Sequence, residues 1–160
     1  MHRLWLLSFV LMALGGLAFH TPSAAPISLQ PLSSDTATWP QEIKVMREFR
    51  GVKLGLKADA VRTALGKPEN TSENREEYKL SDDDILTVHY DNGAVRAIQL
   101  RFTSGKNVPS WKDVVGETAI QQNENGSKVA RVVVTAENFW VSMYQNKEGT
   151  VTSITISRGQ

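Results

Sequence analysis

The chain has 160 residues with 41% hydrophobic content, enough for one ordinary domain or two very small halves sharing a core. Lys and Arg number 18 against 17 Asp and Glu, so there is none of the basic excess that nucleic-acid binding needs on one face. Cysteine is absent. That excludes disulfides, thiol catalysis and a lipid-bearing cysteine, and leaves stability to packing.

Residues 1–25 read as a signal peptide. His2 and Arg3 form a charged start, Leu4 to Leu14 is a nearly unbroken apolar run, and Gly15 to Ala18 is a small-residue stretch. Gly16-x-Ala18 and Ser23-x-Ala25 both suit cleavage. The run is shorter than the roughly 20 residues that span a bilayer, so an exported protein, periplasmic or secreted, is expected. An uncleaved N-terminal anchor is the other reading, and the only one that brings membrane contact. Without Arg3 the chain carries 17 basic and 17 acidic residues, a net charge of zero. Residues 26–42, with Pro26, Pro31 and Pro40 among Ser and Thr, read as a flexible linker, and the folded part is expected from Ile43.

Leu54 to Pro68 predicts a short helix. Ala60, Val61, Ala64 and Leu65 form an apolar stripe at helical spacing, and Asp59 complements the positive end of the helix dipole. Gly66 suits the residue that ends a helix, and Pro68 prevents its continuation. Lys57 stands at the N-cap without a capping side chain. At about two turns the element must dock to persist.

Strands are expected from Glu76 to Leu80, Ile85 to Tyr90 and Ala94 to Phe102, with Ser81 to Asp84 as a turn and Asp91-Asn92-Gly93 closing a hairpin. A three-residue loop pairing Tyr90 with Ala94 and Leu86 with Ile98 puts Leu86, Val88, Tyr90, Ile98 and Leu100 on one face. A two-residue loop pairing Tyr90 with Val95 sets Leu86 opposite Gln99. The first register is therefore expected, with Gly93 at a left-handed bulge position.

Gly55, Val61, Leu65, Gly66, Lys67, Pro68, Tyr90, Asp91, Gly93 and Val95 together resemble the SmpA/OmlA (BamE-like) family of small envelope proteins. That family has an α+β fold related to the β-lactamase inhibitor protein. The resemblance spans roughly Phe49 to Phe102 and implies a part in cell-envelope or outer-membrane protein assembly. Two features depart from the family: Lys57 replaces its usual Ser or Thr cap, and the lipid-bearing cysteine of its outer-membrane members is missing.

Tyr90-x-Asn92, Gly93, Val95, Ile98 and Leu100 return downstream as Tyr144-x-Asn146, Gly149, Val151, Ile154 and Ile156. Lys128 to Thr135 and Asn138 to Tyr144 supply earlier strands, and Ser110 to Gly116 a counterpart helix. The expected fold class is α+β: two tandem helix-plus-three-strand meander units, residues 43–105 and a diverged 106–160, forming a mostly antiparallel sheet with short helices on one face. The tandem fold of the β-lactamase inhibitor protein is built in that way.

Catalytic motifs are not found, and neither a cofactor nor a metal is implied. His89 is the one histidine after the signal segment and has no orienting carboxylate at useful spacing. Asp82, Asp83 and Asp84 read as a solvated turn rather than a cation loop, whose ligands alternate. Glu76 and Glu77 point to opposite strand faces and do not form a carboxylate pair. Asn70-Thr71-Ser72 and Asn125-Gly126-Ser127 fit the glycosylation sequon, which matters only in a eukaryotic secretory host. Trp111, Phe139, Trp140 and Tyr144 are the candidate protein-binding residues, with Phe139 and Trp140 on opposite faces of one strand. Gly55, Val61, Leu65, Gly66, Pro68, Gly93 and Gly149 are structural. The expected function is a non-catalytic protein-interaction domain whose partner is another envelope or secreted protein, through strand addition at the Gln145 to Arg158 edge or through the aromatics. The alternative is a secreted inhibitor or ligand-binding module.

Overall fold

The computed structural model describes residues 42–159; the signal-peptide reading and nearly all of the linker reading lie outside them. In chain order the elements are β1 (Glu48–Phe49), β2 (Val52–Lys53), α1 (Ala58–Leu65), β3 (Asn70–Ser72), β4 (Arg75–Lys79), β5 (Asp84–Asp91), β6 (Ala94–Phe102), α2 (Trp111–Val115), β7 (Gln121–Gln122), β8 (Lys128–Val134), a 3₁₀ turn (Thr135–Glu137), β9 (Phe139–Gln145) and β10 (Thr152–Arg158). β1 and β2 form a small hairpin. The others build one antiparallel eight-stranded sheet in the order β3-β4-β5-β6-β10-β9-β8-β7.

The expected class is thereby corrected. The fold is mainly β, with only one helix of substantial length, and it is not two helix-plus-strand units. The suggested match of Tyr90 with Tyr144 also fails in space: the Tyr90 hydroxyl turns inward to Glu76, while Tyr144 is 39% exposed. Burial alternates along β9 and β10, and alternation with one buried face is what an antiparallel sheet covered on one side requires. Strand addition at Gln145 to Arg158 is corrected as well, because β10 lies between β6 and β9 and has no free edge.

The core is built in rows across the strands. Ala130, Met143, Ile154, Leu100, Leu86 and Tyr78 stand opposite one another in sequence across β8, β9, β10, β6, β5 and β4, and all are buried. A second row runs from Val132 through Val141, Ile156, Ile98 and Val88 to Glu76. Val61 of α1 and Val114 and Val115 of α2 join the same core.

α1 buries Val61 and partly buries Ala58 and Leu65, while Ala60 and Ala64 face solvent. The inward stripe is therefore i, i+3, i+7, rotated from the one expected; Val61 and Leu65 carry the apolar volume, and alanines are cheap to expose. Lys57 makes no side-chain cap, as anticipated. The shorter α2 is the better capped, with Ser110 Oγ accepting from Asp113 N–H.

The β5–β6 hairpin corrects the expected register. Its loop has two residues, Asn92 (φ 49°) and Gly93 (φ 70°), the positive-φ pair of a type I′ turn, and Tyr90 pairs with Val95. A bulge beside His89/Tyr90 then shifts the ladder, so that Leu86 meets Leu100 and Val88 meets Ile98. The two-residue loop and the apolar faces are compatible because one extra residue of β6 is absorbed at the bulge. Val95 and Ile98 are both buried although their parity differs.

Gly66 (φ +86°) has open space where a Cβ would stand, whereas a Cβ on Gly116 (φ +65°) would lie 2.6 Å from the Lys44 carbonyl oxygen. Gly66→Ala is expected to lower stability by about 1–2 kcal/mol from backbone strain alone. Gly116→Ala adds collision with the segment whose Met46 N–H bonds Val114 C=O at 3.0 Å. Urea unfolding should rank Gly116→Ala clearly below Gly66→Ala.

Candidate functional site

The face of the sheet opposite the core carries no helix among the described residues. Strand register arranges it in rows. Val133, Trp140, Ser157, Ala97, His89 and Arg75 form one, and Arg131, Ser142, Thr155, Gln99, Thr87 and Glu77 the next. Val129, Tyr144, Ser153, Arg101, Ile85 and Lys79 form the third. Small hydroxyl residues of β10 occupy the middle. Apolar and aromatic side chains gather at the β8–β9 end, where Val133 is 57% exposed.

At that end the Arg131 guanidinium lies over the Trp140 ring, 4.1 Å from its centroid. A cation on an indole face is attracted to the ring quadrupole. Arg131 has no carboxylate partner among the described residues. Beside the pair is a groove of about 570 Å³ lined by Arg131, Val133, Asn138 and Trp140. The arrangement offers an oriented cation, an aromatic edge and exposed aliphatic surface, which is the chemistry of recognition.

The four aromatics expected to bind are not brought together. Trp140 and Tyr144 share the open face; Phe139 is in the core beneath it. Trp111 packs half-buried against the core at the start of α2. His89 is also on the open face, its Nε2 3.1 Å from Gln99 Oε1. Asp84 is buried at the start of β5 rather than in a solvated turn, with Oδ2 accepting from Ser81 Oγ at 2.8 Å. Arg131 and Val133 were not anticipated; the apolar pattern of β8 pointed only to a strand, and their placement beside Trp140 follows from register.

Glu76, also missed, is the chief electrostatic feature of the other face. It is 2% exposed. Its Oε1 accepts from Arg62 Nε of α1 at 2.8 Å and also from Nη2. Its Oε2 accepts from the Tyr78 hydroxyl at 2.6 Å and the Tyr90 hydroxyl at 2.7 Å. Burial opposes the charge, but the two tyrosine hydroxyls and Arg62 outweigh it and hold the carboxyl below its usual range. Burial, reinforced by the adjoining carboxylate, pushes Tyr78 up to about 12 and raises Tyr90 as well. Both oxygens are engaged and the group is kept anionic, so its role is structural: it fastens α1 to β4 and β5. The period of two in the expected Glu76 to Leu80 strand turns Glu76 to the same face as Tyr78, two residues after it. No protein-family model matches this chain, and no curated protein or solved structure matches it.

Glu76→Gln should destabilise the domain by about 1–3 kcal/mol at neutral pH, through loss of charge-assisted hydrogen bonds in a buried site. The folded-state value lies below the unfolded one, so the stabilisation from Glu76 is present above the ordinary carboxylate range and is lost as pH falls through the folded value. Chemical denaturation measured from pH 7 down to the acid limit should show Glu76→Gln losing less stability than the natural chain. Equal losses would assign acid sensitivity to other groups.

Proposed function

We propose that this chain is a non-catalytic, exported protein-interaction domain that binds another envelope or secreted protein through the Trp140–Tyr144 end of its open sheet face. The observation that carries the reading is the cluster of exposed Tyr144 and Val133 with half-buried Trp140 and Val129, Arg131 stacked on Trp140, on a face no helix of the described residues covers. Exposed aromatic and arginine side chains in one patch are the residue types that dominate protein interfaces. The apolar N-terminal run supports export. Resemblance of the Phe49 to Phe102 region to the SmpA/OmlA family supports a place in cell-envelope assembly by analogy, without a lipid anchor because cysteine is absent.

A photo-crosslinking amino acid placed at Ser142 or Tyr144 should capture a protein partner in cells of the native host, while the same group at exposed Ala64 of α1 should not. Trp140→Ala should abolish the adduct and shift the thermal midpoint by only a few degrees, roughly the effect of about 1 kcal/mol. Equal capture from Ala64, or none from either sheet position, would reject the open-face reading. Envelope assembly components among the adducts would favour the assembly role; a soluble enzyme held 1:1 would favour the inhibitor alternative.

A further inference from the structure

β7 pairs with β8 only at Gln121↔Val129 and Gln122↔Lys128, continued by Asn123 N–H donating to Ser127 C=O at 2.8 Å. In an antiparallel ladder, successive residues turn their backbone groups to opposite sides. Ser127, Val129, Arg131 and Val133 therefore face the β7 edge, and the residues between them face β9. Beyond β7, among the described residues, no strand or backbone hydrogen bond reaches the edge-facing groups of Arg131 and Val133. Such a row of unpaired N–H and C=O groups is a template for another strand. The same two residues project their side chains onto the open face beside Trp140.

We propose that an extended segment of another protein adds to β8 as a further strand, collinear with β7 and antiparallel to β8. This deepens, and rests on, the reading of the open face as a protein-binding surface. Side chains directly opposite in such a pair share a face, so the partner presents one residue beside Val133 and, two positions later, one beside Arg131. Val133 and the adjoining groove take an apolar side chain. Arg131, stacked on Trp140 and without a carboxylate of its own, takes an Asp or Glu. The partner's chemistry is thus apolar–any–acidic in an extended conformation. A second copy fits less well: a two-fold β8–β8 pairing centred on Val132 sets each Arg131 opposite a Val133 and leaves both guanidiniums without an anion.

The test titrates the full chain into labelled peptides of about eight β-forming residues, one with Val-Thr-Glu at its centre and one with Val-Thr-Lys, read by fluorescence anisotropy. The Glu peptide should bind about tenfold more tightly than the Lys peptide, and Arg131→Glu should invert that order. Val133→Pro removes an edge-facing N–H and no bond to β9, so it should abolish binding while circular dichroism and thermal midpoint remain those of a folded domain. Equal affinity for both peptides, binding untouched by Val133→Pro, or concentration-dependent dimers in sedimentation that Val133→Pro dissolves would overturn the proposal. A chain that crosslinks from Ser142 and Tyr144 yet binds neither peptide loses strand addition and keeps the open-face reading; failure of both experiments rejects both.

Discussion

Antiparallel pairing of β6 with β10, from Phe102↔Thr152 to Ala97↔Ser157, is the contact on which the rest of the described structure depends. It sets Ile98 against Ile156 and Leu100 against Ile154, four fully buried side chains at the middle of the sheet. On either side stand strands that pair by local hairpins, β4 with β5 and β6 on one flank, β8 with β9 and β10 on the other. Separately, each would be a small meander with a single apolar face and little to cover it. Joined, they share core rows that run from β8 to β4. The pairing closes a long loop before it gains any contact, so its entropic cost falls on that step.

Against this apolar middle, Glu76 is an exception at the end of a core row. Burying a carboxylate is costly unless its charge and both oxygens are satisfied. Arg62 and the hydroxyls of Tyr78 and Tyr90 meet that demand from three different elements. The same geometry gives α1 a directional attachment, which its single fully buried side chain, Val61, does not supply. Apolar contact tolerates sliding of a short helix; a carboxylate held by donors at fixed positions does not. Position, more than net stability, is what this cluster contributes.

Among the described residues, the helices lie on one side of the sheet, and the two faces differ accordingly. The inner rows are mainly Ile, Leu, Val and Met, with Tyr78 and Glu76 at their β4 ends. The outer rows are mainly polar and charged, with Ala97 and Ile85 among them, and Val129, Val133, Trp140 and Tyr144 meet at the β8–β9 end. β3 and β7, with three and two residues, are the edge strands. Short edge strands limit unwanted association, yet β7 is too short to cover the length of β8. The apolar end of the open face and the uncovered edge therefore coincide at Arg131 and Val133.

Alternation of apolar residues, the place of the hairpin turn within Asp91 to Gly93 (though not its length), and the Gly66 and Gly116 helix ends were legible in the sequence because each is decided by neighbours along the chain. Strand positions in β5, β6, β8, β9 and β10 followed from them, as did the opposite directions of Phe139 and Trp140. Hairpin register was not legible, since the β6 bulge absorbs a residue whose cost is repaid only across the sheet. Nor was the fold class: Val95, Ile98 and Leu100 after Gly93 and Val151, Ile154 and Ile156 after Gly149, at equal spacings, suggested repeated units, but the inward turn of Tyr90 depends on Glu76, and nothing local to Tyr144 provides such a partner. Whether an edge is free, which aromatic is exposed, and that Arg131 stands on Trp140 are consequences of strand order. Local spacing determines which residues can face the same way; only the pairing of distant strands determines what they face.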